Sequence, residues 1–469
     1  MRYSLFILIL LVSACQRTAP YEGPINVLVL YTDDQRYNTI AALGNDEIIT
    51  PNMDRLVREG TAFTHAHTMG GLHGALCAPS RSMLMTGRPL FSLEGAGNNI
   101  PAEHVMMPEH LQVAGYQTFA TGKWHNDRAS FARAFGAAEN IFFGGMHWPG
   151  EGGHEAPLLH AFDSTGVYDR EDRRSVEGFS SMLYADAAIA FIQTPREKPF
   201  FAYVSFTSPH DPRTPPAPYD NWYGPDSVSV PPNFMSEHPF DNGELMVRDE
   251  RLREHPRTER MAQEELATYY GMISEVDAQI GRILDALDEA GLRDRTLIVF
   301  AGDNGLAVGS HGLLGKQNLY EHSMRVPLVF AGPGIPAGER RDALVYIHDI
   351  FPTVSELLGL DVPVTSEGHS LGPIMHGAEA SVRDTVFYVY RDLQRGVRTS
   401  EDWKFIQYNV EGERADQLFN LEEDPNEMHN LADVPEHADR KAAMEAALIS
   451  TSRQYTDPLD LTLPSWGKE

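Results

Sequence analysis

The sequence predicts an α/β protein: a large sheet of buried strands flanked by helices, followed by a smaller C-terminal α+β unit. Three observations carry this. Residues 25–31 form a near-continuous apolar run, Ile-Asn-Val-Leu-Val-Leu-Tyr, as expected of a parallel-sheet strand buried on both faces. Strand-like and helix-like segments then alternate to about residue 375. Beyond that, 385–390, 395–399 and 403–408 read as consecutive strands joined by short turns. The 469 residues suffice for a large α/β domain, 25–375, and a smaller subdomain, 376–469.

Composition narrows the function. The net charge is −28, from 66 acidic residues against 38 Lys+Arg. Nucleic-acid binders show the opposite balance, so nucleic acid is excluded as a partner. An anionic substrate would need a local basic pocket or a metal. The two cysteines are Cys15 and Cys77. Cys15 falls in a targeting region, which leaves Cys77 as the lone thiol of the mature chain and suits chemistry better than scaffolding.

Taken in order, residues 1–15 read as a signal segment. Arg2 precedes an apolar run, 5–12, that is shorter than the roughly 20 residues needed to span a bilayer. Val12-Ser13-Ala14-Cys15 resembles the lipobox of bacterial lipoproteins. That implies lipidation of Cys15, and export to the periplasm or outer membrane of a Gram-negative cell. Residues 16–24 read as a tether, so the membrane is met through the lipid anchor only.

The first strand ends in Thr32-Asp33-Asp34-Gln35. Adjacent carboxylates repel unless a cation lies between them, and ligands of open α/β sheets bind beyond the carboxyl ends of strands. Thr50 as N-cap and Pro51 open a helix that Gly60 closes. In Leu76-Cys77-Ala78-Pro79-Ser80-Arg81, Pro79 suits the first helical position and Gly87 the end. Cys77 then lies at a helix N-terminus, which favours a reactive thiol, with Arg81 one turn on. A helix begun at Pro108 stops at Gly115, and strand 116–121 leads into Gly122-Lys123-Trp124-His125. A helix at 180–193 precedes strand 200–206, which ends in Thr207-Ser208-Pro209-His210-Asp211-Pro212. Proline-rich 212–232 and charged 248–260 form a long excursion of the kind that makes lids and binding loops. Ile273, Val276, Ile280, Ile283, Leu284 and Leu287 recur at helical spacing as a core stripe, stopped by Gly291. Strand 296–300 ends in Gly302-Asp303-Asn304-Gly305, again placing side-chain oxygens beyond a strand. Such hard oxygens from Asp33, Asp34, Asp303 and Asn304 suit Ca²⁺ or Mg²⁺ and not zinc.

Cys77-x-Pro79-x-Arg81 followed by Thr86-Gly87-Arg88 resembles the signature of the sulfatase family. Further segments match in the family's order: Gly122-Lys123-Trp124-His125, Pro209-His210, His311-Gly312-Leu313-Leu314-Gly315-Lys316, Tyr320-Glu321-His322-Ser323-Met324-Arg325-Val326-Pro327-Leu328, and Leu418-Phe419-Asn420-Leu421 in the C-terminal subdomain. The resemblance spans about 24–435. It implies the alkaline-phosphatase-like fold, a mixed, mostly parallel sheet, and a C-terminal subdomain with an antiparallel sheet. It also implies that a maturation enzyme oxidises Cys77 to formylglycine, whose hydrate attacks sulfur and also ligates the metal. The family precedent favours Ca²⁺. Arg81, Lys123 and Lys316 would hold the sulfate. Asp303 would take the nucleophile's proton, and His210 would protonate the departing alcohol. His125 would take the proton that lets sulfate leave and the aldehyde return.

The expected substrate is a sulfated polysaccharide or oligosaccharide, contacted by Trp148, Arg213 and His311. Two readings compete: phosphate or phosphonate ester hydrolysis within the same superfamily, and an inactive glycan-binding relative. The latter is expected to have lost Cys77, Arg81 or a metal ligand, and none is missing.

Overall fold

The computed structural model describes residues 23–468. The signal segment, Cys15 and tether residues 16–22 lie outside the described residues. The eight strands of the main sheet are β1 (Asn26–Asp33), β2 (Gly60–Phe63), β3 (Gln117–Lys123), β4 (Ala137–Phe142), β5 (Phe200–Pro209), β6 (Thr296–Gly302), β7 (Leu328–Ala331) and β8 (Glu339–Arg341). Their order across the sheet is β8-β2-β7-β6-β1-β5-β3-β4. β7 runs antiparallel to β6 and β2, and the remaining pairings are parallel. The sheet is therefore mixed and mostly parallel.

β1 lies at the centre because its side chains feed both layers. Val27, Val29 and Tyr31 enter one apolar cluster, and Leu28 and Leu30 enter the other. The second cluster is closed by the helices Ser180–Gln193 and Glu259–Glu289, through Tyr184, Ala188, Ile273, Ile280 and Leu284. The core stripe expected from the helical spacing is thus the sheet-facing side of the longer helix.

The second sheet comprises β9 (Thr385–Tyr390), β10 (Gln394–Thr399), β11 (Trp403–Val410) and β12 (Glu413–Asn420), paired antiparallel in chain order. Its outer neighbour is Gly70–Gly71, from the first hundred residues, which pairs parallel to β9. Phe387, Val389, Val397 and Phe405 share one apolar cluster with Met83, Leu84 and Phe351 of the larger domain. The C-terminal unit therefore shares an apolar core with the larger domain. Among the described residues no helix is long and apolar enough to cross a membrane.

Some local expectations need correction. The cysteine helix spans Cys77–Thr86, so Cys77 is its first residue and Pro79 its third. Proline is tolerated there because the first-turn N–H groups have no helical partner. Gly60 is the first residue of β2 with extended backbone (φ −136°) and not a left-handed cap. A side chain there would place Cβ 2.1 Å from the Phe330 carbonyl oxygen, so glycine is required by close strand approach. Thr50 caps by position only, its hydroxyl donating to Asp54 Oδ1 at 3.1 Å.

Candidate active site

The carboxyl ends of β1, β3, β5 and β6 converge, and each delivers polar side chains: Asp33 and Asp34, Lys123 and His125, His210, and Asp303 and Asn304. The N-terminus of the Cys77–Thr86 helix enters from above with Cys77 and Arg81, both fully buried. β3 can approach β5 because residue 122 is glycine: a Cβ there would lie 1.9 Å from the Ser205 carbonyl oxygen. Asp34 and His125 adopt left-handed backbone, with φ of 65° and 69°. That conformation costs a non-glycine residue about 1–3 kcal/mol and persists where surroundings impose it. The Asp34 N–H donates to Asp303 Oδ1 at 2.9 Å, and the Tyr269 hydroxyl donates to the Asp34 carbonyl.

Around Cys77 the charges alternate. The thiol donates to Asp33 Oδ1 at 3.1 Å, and Lys316 Nζ lies 3.1 Å from Sγ and 2.5 Å from Asp34 Oδ1. Lys123 Nζ is 2.5 Å from Asp33 Oδ2. Arg81 reaches Asp303 Oδ2 at 3.0 Å and also donates to the Lys123 carbonyl and the Tyr203 hydroxyl. His210 Nε2 faces Asp34 Oδ2 at 3.6 Å.

These surroundings shift the ionisable groups. Burial, together with Asp303 and Asp33, pushes the Cys77 thiol well above its ordinary value. The activated thiolate expected from the helix N-terminus is therefore not what this pocket favours, because burial and then the neighbouring carboxylates oppose it. Burial, with Lys123 and Arg81 nearby, pushes His125 well down, so its imidazole is neutral. Against burial, Arg81, Lys123 and Lys316 hold Asp303 below the usual carboxylate range. Asp303 Oδ1 also accepts from the backbone N–H of both Asp34 and Asn304. Asp33 is the carboxylate that receives the Cys77 S–H.

The donor set fits a hard cation. Ligand atoms of Asp33, Asp34, Cys77 and His210 lie within 4.8 Å of one another, and the Asp303 carboxylate sits beside them, Oδ1 on the Asp34 N–H at 2.9 Å. Asn304 Oδ1 is buried with no partner, while its amide nitrogen contacts Asp34 Oδ1 at 2.5 Å. An unpaired buried oxygen beside converging carboxylates is what an oxygen-ligated divalent ion resolves.

A cavity of about 340 Å³ opens over this cluster, with Cys77, His125, His210 and Lys316 among its lining residues. At its mouth are Trp148, 52% exposed, Arg248 and Arg391. The Arg248 guanidinium lies 6.0 Å from the Trp148 ring centre. The structure thus brings together Cys77, Arg81, Lys123, His125, His210, Lys316 and the four oxygen donors, with Trp148 at the rim.

Arg213 and His311 are not brought into the cavity. Arg213 is buried on Glu265, with Nη2 to Oε2 at 2.5 Å. His311 stacks on Tyr320 at 3.9 Å and contacts the Glu427 carbonyl at 3.0 Å, tying the site loop to the C-terminal subdomain. Arg248, Asp249, Gln317 and Arg391 line the cavity without having been singled out as site residues. Arg248 and Asp249 open the charged stretch 248–260, which was the available signal. Arg391 sits in the turn between β9 and β10, where nothing in the sequence marks it.

Comparison with known proteins places this geometry in a family. Residues 25–360 match the sulfatase family model, and 309–454 match that of the N-sulphoglucosamine sulphohydrolase C-terminal region. The chain belongs to the sulfatase family of sulfuric ester hydrolases. An N-acetylglucosamine-6-O-sulfatase of Bacteroides thetaiotaomicron is 26% identical over 92% of this chain and 87% of its own. A solved structure described as a complex with its substrate D-glucosamine-2-N,6-O-disulfate matches with TM-score 0.71, 23% identity and coverage of 92% and 98%. The phosphonate monoester hydrolase of Agrobacterium radiobacter matches with TM-score 0.72, 24% identity and coverage of 92% and 96%. At those identities the two structures speak for the fold alone.

Proposed function

We propose that this chain hydrolyses sulfate esters on sulfated polysaccharides or oligosaccharides, using formylglycine made from Cys77 and one Ca²⁺. The carrying observation is the convergence of Lys316 and Asp33 on Cys77 Sγ, each at 3.1 Å, on the inner side of the cavity. An oxygen nucleophile at that position is flanked by an acceptor for its proton and a cation for the sulfate.

Asp33, Asp34, Asp303 and Asn304 would hold the cation, with the formylglycine oxygen as a further ligand. When bound it would offset the carboxylate charge and lower the energy of the nucleophilic oxygen. Arg81, Lys123 and Lys316 place positive charge where sulfate oxygens gather it in the transition state. Their concentration at one point also explains how a chain of net charge −28 takes an anionic substrate. His210 stands where the departing alcohol leaves and gives it a proton. Neutral His125 is suited to accept the proton that lets sulfate depart. Trp148 offers a flat aromatic face to a sugar ring, with Arg248 beside it. The relatives that act on sulfated amino sugars support a glycan substrate. The lipobox-like Val12-Ser13-Ala14-Cys15 supports export to the periplasm or outer membrane, with a lipid on Cys15.

Sulfate release is measured on defined sulfated saccharides beside matched phosphate and phosphonate esters. Desulfation of at least one saccharide, with kcat/KM above the phosphorus esters, is expected. Preference for a phosphate or phosphonate ester overturns the sulfatase reading, and turnover of none of them leaves the glycan-binding alternative. Preference for an aryl sulfate with no saccharide desulfated overturns the glycan alone.

A further inference from the structure

We propose that Arg248, acting through Asp211, is the positioning residue that aims His210 at the departing alcohol. The inference rests on the sulfatase reading above and concerns a residue in the long excursion at the cavity mouth.

His210 Nδ1 lies 2.8 Å from the Asp211 carbonyl oxygen and 3.2 Å from Asp211 Oδ1. A carbonyl oxygen can only accept, so Nδ1 carries a proton and Nε2 is the nitrogen that faces the reaction. To protonate an alcohol oxygen Nε2 must carry a proton as well, and the Asp211 carbonyl and carboxylate on the Nδ1 side fix which way the ring points. As the sulfur–oxygen bond breaks, its electron pair stays on the alcohol oxygen. The Nε2 proton moves to that oxygen and leaves a neutral ring.

Asp211 does not hold this place alone. Its two oxygens are gripped by the two terminal nitrogens of Arg248, Nη2 reaching Oδ1 at 2.9 Å. The fork-to-fork pairing fixes the carboxylate plane as well as its position. Arg248 is in turn braced by Asp249 Oδ1 at 2.6 Å and Met146 Sδ at 2.9 Å. Its side chain is 36% exposed against 10% for Asp211. Without Arg248 the buried carboxylate has a reason to turn towards water, because it loses the partner that grips both its oxygens.

The test compares esters that differ in how much they need the acid. 4-Nitrophenyl sulfate has a weakly basic leaving group, whereas an alkyl or sugar sulfate needs protonation to depart. Arg248→Met and Asp211→Asn are expected to lower kcat on the sugar ester by about tenfold or more beyond any loss on the aryl ester. The double variant should cost no more than the worse single. Arg248→Lys, which cannot grip both oxygens, should fall between wild type and Arg248→Met. Equal losses on both esters, or a change confined to KM, overturn the proposal while leaving the sulfatase reading intact. A crystal structure of Arg248→Met gives a readout independent of turnover. A displaced Asp211 carboxylate and a turned His210 ring are expected, and both residues in unchanged positions overturn the proposal. Failure of the wild type to release sulfate from either ester would instead strike at the sulfatase reading.

Discussion

Lys316 and Cys77, 239 positions apart in the chain, meet with Nζ 3.1 Å from Sγ. Lys316 stays charged there because Asp34, with Asp33 and Asp249, outweighs the cost of burial. It therefore contributes a fixed cation to the reacting centre. Replacing it by alanine should lower kcat by about 10²–10³, the usual loss when one group stabilising transition-state charge is removed. Steady-state kinetics with a melting curve checks this. A fully active, folded Lys316→Ala would show that the contact is incidental.

The oxygen cluster predicts one tightly held divalent ion per chain. Elemental analysis of the purified enzyme should find about one calcium. Asp33→Ala should lose both metal and activity, and chelation of the wild type should abolish activity until Ca²⁺ is returned. Full activity after verified metal removal would contradict the assignment.

Trp148 is exposed and stands beside Arg248 at the mouth. Trp148→Ala should reduce kcat/KM on sulfated oligosaccharides by about tenfold, since remote binding contributes to the chemical step. The loss on a small aryl sulfate, which does not reach the rim, should be smaller. Equal losses on both would mark Trp148 as a loop anchor instead.

How much of this was legible in the sequence can be said residue by residue. β1 and β6 were readable because both faces are buried and their runs are nearly all apolar. β8, Glu-Arg-Arg, was not, since an edge strand can be polar throughout. β12 alternates weakly and was not read as a strand. Asp33, Asp34, Asp303 and Asn304 stood out because each follows a strand end and Cys77 because it opens a helix, whereas Lys316, in a loop, was marked only by the family resemblance. Arg213 misled because nearness to His210 in sequence says nothing of direction, and its guanidinium turns to Glu265. Arg248 and Arg391 reach the cavity through contacts between distant loops, which no local pattern encodes.

Glu275 gives a stability prediction away from the site. It is buried in the helix Glu259–Glu289, accepting from Ser181 and Gln279, and burial pushes its carboxyl up to about 7. A raised carboxyl favours the protonated folded state, so its contribution is intact below the unfolded value and is lost as pH rises towards 7. Glu275→Gln keeps the shape without the charge. Relative to wild type it should gain stability between pH 5 and pH 8, by up to about 3 kcal/mol. Chemical denaturation at the two pH values checks this, and a constant difference would contradict it.

The account depends most on what residue 77 becomes. The decisive measurement is the mass of the peptide containing residue 77, taken from a preparation that releases sulfate. Conversion of Cys77 to formylglycine predicts loss of the thiol sulfur and a carbonyl that reacts with hydrazide probes. An active preparation whose peptide carries only the intact cysteine would contradict the proposed chemistry.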